Sequence, residues 1–100
     1  MTPDALARIA HALGDPTRLR VYLSIAGGRR PCCGDLSREV DVSAATMTHH
    51  VRVLQAAGLV ASRREGAFVR IEAVPERLAE YRAALGALAS RRRPRQGRVR

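Results

Sequence analysis

The apolar positions of VSAATMTHHVRVLQAAGLV, residues 42–60, recur with the period of a helix. Met47, Val51 and Leu54 stand at i, i+4 and i+7, so they share one face, and that face should be buried. Ser43 lies just ahead of the run, where a hydroxyl accepts from a free backbone N–H two or three residues on. Gly58 falls where a helix ends in a left-handed residue, and Leu59 and Val60 then resume the apolar sequence. The spacing predicts one amphipathic helix of about four turns with a defined start and stop. Its other side carries Ala45, Thr46, His49 and Arg52. Small side chains, a hydroxyl, an imidazole and a guanidinium suit close approach to the major groove of DNA. A helix that only faces water more often carries Glu and Lys.

The pattern extends to both sides. Thr2-Pro3-Asp4 supplies a cap and a proline at the first helical position, and Leu6, Ile9, Ala10 and Leu13 form a stripe that Gly14 stops. Asp15-Pro16 repeats the start signal, and Leu19, Leu23 and Ile25-Ala26 carry a second helix to Gly27-Gly28. After the loop Arg29-Arg30-Pro31, the run from Cys32 to Val40 predicts a short third helix, with Asp35 near its start and Leu36 and Val40 inward. Asp41-Val42-Ser43 connects it to the helix described above, and two helices joined by so short a turn make a helix-turn-helix. Beyond Leu59 the period falls to two. Residues 60–64 and 67–74 read as strands, with Phe68, Arg70 and Glu72 alternating against Val69, Ile71 and Ala73, and Glu65-Gly66 as the tight turn. A hairpin in this place is a wing. Pro75 opens a last helix whose Leu78, Tyr81, Leu85 and Leu88 make an apolar seam. The fold class is thus mainly α with a β-hairpin wing, in the order α, α, α, α, β, β, α. Residues 1–90 make one domain, and 91–100, RRRPRQGRVR, lack apolar content and read as a disordered Arg-rich tail.

Composition narrows the partners. One hundred residues suit a single small domain with a modest core. No apolar run approaches the length of a membrane span and no secretory signal opens the chain, so a cytoplasmic protein is expected, without a membrane partner. All 18 basic residues are arginine, a bias that genome base composition alone can produce, so arginine itself is weak evidence of recognition. The net charge of +9 is also unevenly placed. Six arginines lie in 91–100, leaving residues 1–90 at only +3. An enzyme is not expected, because the chain has no glycine-rich phosphate loop and no nucleophile–base set in plausible order.

Four stretches now fit together: HALGDPTRLRVYLSIA (11–26), CCGDLSREVDVS (32–43), THHVRVLQAAGLV (48–60) and REGAFVRI (64–71). Between residue 5 and about residue 88 the chain resembles the ArsR/SmtB family of small winged-helix repressors. The resemblance implies a homodimer built from the first and last helices, a helix-turn-helix in each protomer, and release of operator DNA when an inducer binds. The residues point to a dimer as well. Leu6, Ile9 and Leu13 on the first helix and Leu78, Tyr81, Leu85 and Leu88 on the last give more apolar stripe than one small subunit readily covers. A two-fold dimer would set two reading helices about one DNA turn, ~34 Å, apart.

Candidate contacts to double-stranded operator DNA are Ser43, Ala45, Thr46, Thr48, His49 and Arg52 on the reading helix. Arg63, Arg64 and Arg70 on the wing are candidates for the neighbouring backbone or minor groove. Each has a plainer alternative: His50 as a half-buried packing residue, Arg64 as a partner of Glu65 or Glu72. The tail either adds affinity through counterion release or is merely solvated. Cys32 matches the first cysteine of the family's metal-binding pattern at the start of the third helix, but Gly34 stands where the second would be and Cys33 lies between. Two thiolates near a helix N-terminus should have lowered pKa values and could take a soft metal or metalloid ion or be oxidised. Structural metal sites want three or four well-spaced ligands, however, and the last helix offers Glu76 and Glu80 but no His. The alternative is that both cysteines are small apolar residues covering the helix start. The rival to a DNA-binding regulator is a winged-helix protein-interaction module; the small polar face of 43–52 and the wing arginines favour DNA.

Overall fold

The computed structural model describes residues 1–91; most of the expected tail, 92–100, lies outside the described residues. Five helices and one hairpin follow each other as α1 (Pro3–Leu13), α2 (Pro16–Ala26), α3 (Cys33–Val40), α4 (Ala44–Ala56), β1 (Val60–Glu65), β2 (Phe68–Ala73) and α5 (Pro75–Ala89). This is the order the periodicity gives. Local chemistry sets the boundaries. Thr2, Asp15 and Ser43 each accept from the backbone N–H three residues on, and prolines occupy the first positions of α1, α2 and α5. Cys32 proves to be the cap of α3 and not its first residue, and the Asp35 carboxylate accepts from the Cys32 N–H at 3.1 Å.

Between α3 and α4 the chain turns on Asp41, the one non-glycine residue in the left-handed region (φ 60°) among the described residues. Aspartate is among the few residues besides glycine that visit this conformation, because its side chain is short and polar. The Val42 N–H returns to the Ser37 carbonyl at 3.1 Å, closing α3 before α4 begins. At the far end of α4, Gly58 has φ +78°, a conformation that favours glycine, and a Cβ there would stand 3.0 Å from Arg77 Nε, so that side chain would have to give way.

One core joins all seven elements. Ile9 and Ala12 of α1, Val21 and Ile25 of α2, Leu36 of α3, Met47, Val51 and Leu54 of α4, and Leu59 and Ile71 at the root of the hairpin are buried together. Ile9 is fully enclosed within the protomer, which removes it from the expected subunit interface: the α1 stripe divides, with Ile9 facing the core and Leu6 left half-exposed. Leu13, Leu78 and Tyr81 are half-buried against the same core. Further along α5 the cover ends. Leu85 is 43% exposed, Leu88 is 51% exposed, and no residue of α5 is buried.

The strands pair antiparallel from Val60 with Ala73 to Glu65 with Phe68, so the turn is Gly66-Ala67, one residue later than the sequence suggests. Gly66 has positive φ and Ala67 does not, which matches a II′ turn with glycine at its first central position. Cross-strand partners share a face. Val60, Ser62 and Arg64 with Val69, Ile71 and Ala73 form the side that roots in the core, while Arg63, Glu65, Phe68, Arg70 and Glu72 lie on the other.

Candidate nucleic-acid interface

The outward side of α4 is built from its cap. Ser43 Oγ accepts from the Thr46 N–H at 3.1 Å and donates to Thr46 Oγ1 at 3.0 Å. The Thr46 hydroxyl proton is thereby left to point outward. Thr48 differs: its hydroxyl donates back to the Ala44 carbonyl at 2.9 Å. Thr48 therefore offers solvent a methyl group and lone pairs, but no donor. His49 and Arg52 follow on the same exposed side. All six residues that the sequence nominates on this helix, from Ser43 to Arg52, are exposed in the protomer. The face combines small groups at the helix start with donors farther along, on a rigid element, and such a surface can meet base edges and phosphates together.

The inward side fixes that face in place. His50 is only 7% exposed, and its Nδ1 lies 3.4 Å from Arg18 Nη1. Arg18, itself 6% exposed, also donates from Nε to the Ala12 carbonyl at 2.7 Å and from Nη2 to the His11 carbonyl at 3.0 Å. A guanidinium only donates, so this contact is a hydrogen bond when His50 is neutral with its proton on Nε2 and Nδ1 accepts. Burial pushes the His50 pKa down, Arg18 and His49 push the same way, and Asp15 opposes them. Adjacent histidines thus have separate roles, His49 exposed and His50 bolting α4 to the corner between α1 and α2. The packing alternative for His50 matches its burial. Arg18 is absent from the sequence reading, because a lone arginine in an amphipathic helix looks like any solvated charge until its depth is known.

The wing is less basic than its sequence. Glu72 accepts from Arg63 at 3.1 Å and from Arg30 at 3.1 Å, and Arg30 also pairs with Glu65. These contacts hold the Glu72 carboxyl below its usual range, the Arg63 hydrogen bond first. Arg70 turns back from the wing. Its guanidinium lies 5.1 Å over the Phe68 ring, Nε is 3.9 Å from Glu65, and Nη1 sits 3.4 Å from the Arg30 carbonyl and 3.5 Å from Cys32 Sγ. In the protomer Arg70 therefore leans toward the start of α3. Arg64 pairs with neither Glu65 nor Glu72; it is exposed, with no carboxylate partner among the described residues. The tip itself exposes Phe68 and Val69. Two further contacts seat the hairpin: the Ile71 N–H donates to the Pro31 carbonyl at 2.8 Å, and Gln55 at the end of α4 donates to Ser62 Oγ.

Cys32 and Cys33 are both free and half-buried. The expected lowering of their pKa values does not hold for Cys33. Burial raises its thiol first and the adjacent Cys32 adds to the rise. No group of three or more His, Cys, Asp or Glu side chains among the described residues could hold a metal ion. Two neighbouring sulfurs fall short of the three or four donors a closed site needs. The protomer's described residues therefore do not fit a resident metal.

Comparison with known proteins agrees with this geometry. The model of a helix-turn-helix domain family matches residues 13–63. The HTH-type transcriptional regulator CmtR of Mycobacterium tuberculosis is 34% identical over 90 residues, covering 88% of this chain and 71% of the relative. Among solved structures, an ArsR-like transcriptional regulator from Rhodococcus sp. RHA1 superposes with a TM-score of 0.81 at 26% identity, over 87% of this chain and 81% of that one. The homodimeric winged helix-turn-helix DNA-binding domain of a Mycobacterium bovis regulator shares the fold at a TM-score of 0.71 and 18% identity, over 96% and 89% of the two chains.

Proposed function

Because the chain belongs to the ArsR/SmtB family of winged helix-turn-helix transcriptional regulators, and not to a family of enzymes, we propose that it represses transcription as a homodimer on operator DNA. The observation that carries this reading is the division of α4. Met47, His50, Val51 and Leu54 are buried, while Ser43, Ala45, Thr46, Thr48, His49 and Arg52 are exposed. In this reading Thr46 and His49 meet base edges, Arg52 meets a phosphate or a guanine, and Arg64 meets the backbone beside the wing.

The dimer is supported by what α1 and α5 leave open. Met1, Leu6, Ala84, Ala87, Leu88 and Arg91 line a shallow groove of about 440 Å³ along these helices. Burying a large apolar side chain that is now exposed is worth roughly 1.5–3 kcal/mol, and two-fold pairing covers both copies of the face at once. The Mycobacterium bovis domain is a homodimer of the same fold. No helix among the described residues is long and apolar enough to cross a membrane. Operator release by an inducer completes the reading. Cys32 remains a point where a thiol-reactive agent would be felt, since Arg70 and the strand β2 rest against it.

Fluorescence anisotropy of the full chain on labelled promoter DNA from its own gene, at low salt, tests both parts. Saturable binding, reversed by one agent from a panel of Zn, Cd, As(III) and peroxide, is the expected result. A dimer that shifts no such fragment would favour the protein-interaction module. Binding that every agent leaves unchanged in the wild type would end thiol sensing.

A further inference from the structure

Two threonines on α4 commit their hydroxyl groups differently. The Thr46 oxygen accepts from Ser43 Oγ at 3.0 Å, so its own proton is free to reach an acceptor on a base or a phosphate. The Thr48 hydroxyl gives its proton to the Ala44 carbonyl at 2.9 Å, one turn back along the helix. To donate to a base it would have to give up that bond. What Thr48 presents outward is its methyl group. Ala45 stands three residues earlier, beside it on the helix surface, and its side chain is a methyl group alone. Both residues are exposed, while Met47 and His50 between and beyond them are buried and fix the roll of the helix. Arg52, one turn beyond Thr48, is exposed and has no carboxylate partner among the described residues.

We propose that Ala45 and Thr48 together read the 5-methyl group of a thymine in each operator half-site. The inference deepens the operator-binding reading and rests on it. The base follows from what the two side chains lack. In the major groove guanine, adenine and cytosine present only donors and acceptors, whereas thymine adds an apolar group. Two methyl groups without a free donor match that group. Cytosine is the competitor, because its N4 amino group donates and the Thr48 oxygen keeps a lone pair. Ala45 decides against it, since a methyl group offers an amino group nothing. Thr46 reads acceptors and Thr48 reads the methyl group, so two residues of one type divide the labour according to their hydrogen bonds within the helix. Arg52 is the charged anchor one turn further on.

The test replaces thymidine by deoxyuridine, one position at a time in both half-sites, in operator DNA from the protein's own promoter. The exchange removes the methyl group and leaves every hydrogen-bonding group of the base in place. Binding of the full chain is read by fluorescence anisotropy at fixed salt. One thymine position should stand out, with affinity lower by about fourfold per half-site and about fifteenfold for the pair. Thr48→Ser, whose hydroxyl still reaches the Ala44 carbonyl, should bind the thymine operator more weakly and lose most of its sensitivity to deoxyuridine at that position. Thr48→Val, which keeps a methyl group and no hydroxyl, should retain both affinity and sensitivity. Circular dichroism checks that both variants are folded. An operator bound by the wild type with no thymine position sensitive to the exchange would overturn the inference. So would a sensitive position whose penalty Thr48→Ser leaves unchanged, or a folded Thr48→Val protein that loses the sensitivity, since the hydroxyl would then be the reading group. In each of these cases wild-type binding persists and the operator-binding reading stands; a wild type that binds no promoter fragment overturns both.

Discussion

Arg18→Met removes the bolt under the reading helix while keeping most of the buried stem. Three acceptors then lose a donor, and they do not lose equally. The His11 carbonyl keeps the Gly14 N–H at 3.2 Å, so its loss is slight. The Ala12 carbonyl, 2.7 Å from Arg18 Nε, sits at the end of α1 and loses its side-chain partner. Leaving a buried acceptor unpaired costs about 1–3 kcal/mol. The contact to His50 Nδ1 is long at 3.4 Å and contributes at most about 1 kcal/mol. The sum is about 1–4 kcal/mol out of the 5–15 kcal/mol typical of a small domain. At this chain length that is a fall in Tm of roughly 5–30 °C, to be read by circular dichroism at fixed protein concentration. Arg18→Lys, which can satisfy one carbonyl but not three acceptors, should fall between the two. Operator affinity should drop as well, because α4 then rocks against the α1–α2 corner. A variant within about 0.5 kcal/mol of the wild type would refute the reasoning, since it would mean that the three contacts are incidental to holding α4.

Other consequences follow from the wing, the buried histidine and the open helix face. Arg64→Ala should reduce the slope of log K against log salt by about 0.9 per wing in an operator titration, whereas Arg63→Ala should change it less, because Glu72 already neutralises that guanidinium. His50 binds its proton less readily when folded than its ordinary value of 6.5, so the unfolded chain takes up more protons as pH falls and stability must decline below about pH 6.5. A second loss follows below 4.5, as Glu39, held down to about 2 by Arg29 and then Ser24, is protonated more easily in the unfolded chain. Urea midpoints measured from pH 7.5 to 3.5 would show both steps, and His50→Asn, which retains a neutral acceptor, should remove the first. Leu85→Glu with Leu88→Glu should yield monomers in sedimentation and weaken operator binding by more than about tenfold, while an unchanged dimer would place the subunit contact elsewhere.

The helices were legible because period, cap and stop agree at each one. Thr2-Pro3, Asp15-Pro16 and Ser43 state their starts in local chemistry, and those contacts form as read. The outward side of α4 was legible for the same reason: burying Met47, Val51 and Leu54 leaves no other place for Thr46, His49 and Arg52. What the sequence concealed depends on contacts distant along the chain. Arg30 lies 42 residues from Glu72, and only the folded hairpin shows that the loop before α3 supplies a cation to the wing. Arg70 and Arg63 sit opposite each other in the register, and two like charges so placed repel unless carboxylates separate them. Glu65 and Glu72 provide that separation, which explains why a hairpin rich in arginine presents one unpaired guanidinium, at Arg64 on its other face. Ile9 was misplaced for a related reason. A stripe of apolar residues on a helix shows that something covers it, but whether the cover is the protomer's own core or a second subunit depends on how far the helix turns before the core runs out. On α1 that limit falls between Ile9 and Leu6, and on α5 between Tyr81 and Leu85. Leu6 beyond the first limit and Leu88 beyond the second line one groove, so part of the apolar surface that the core fails to cover on α1 adjoins part of that on α5.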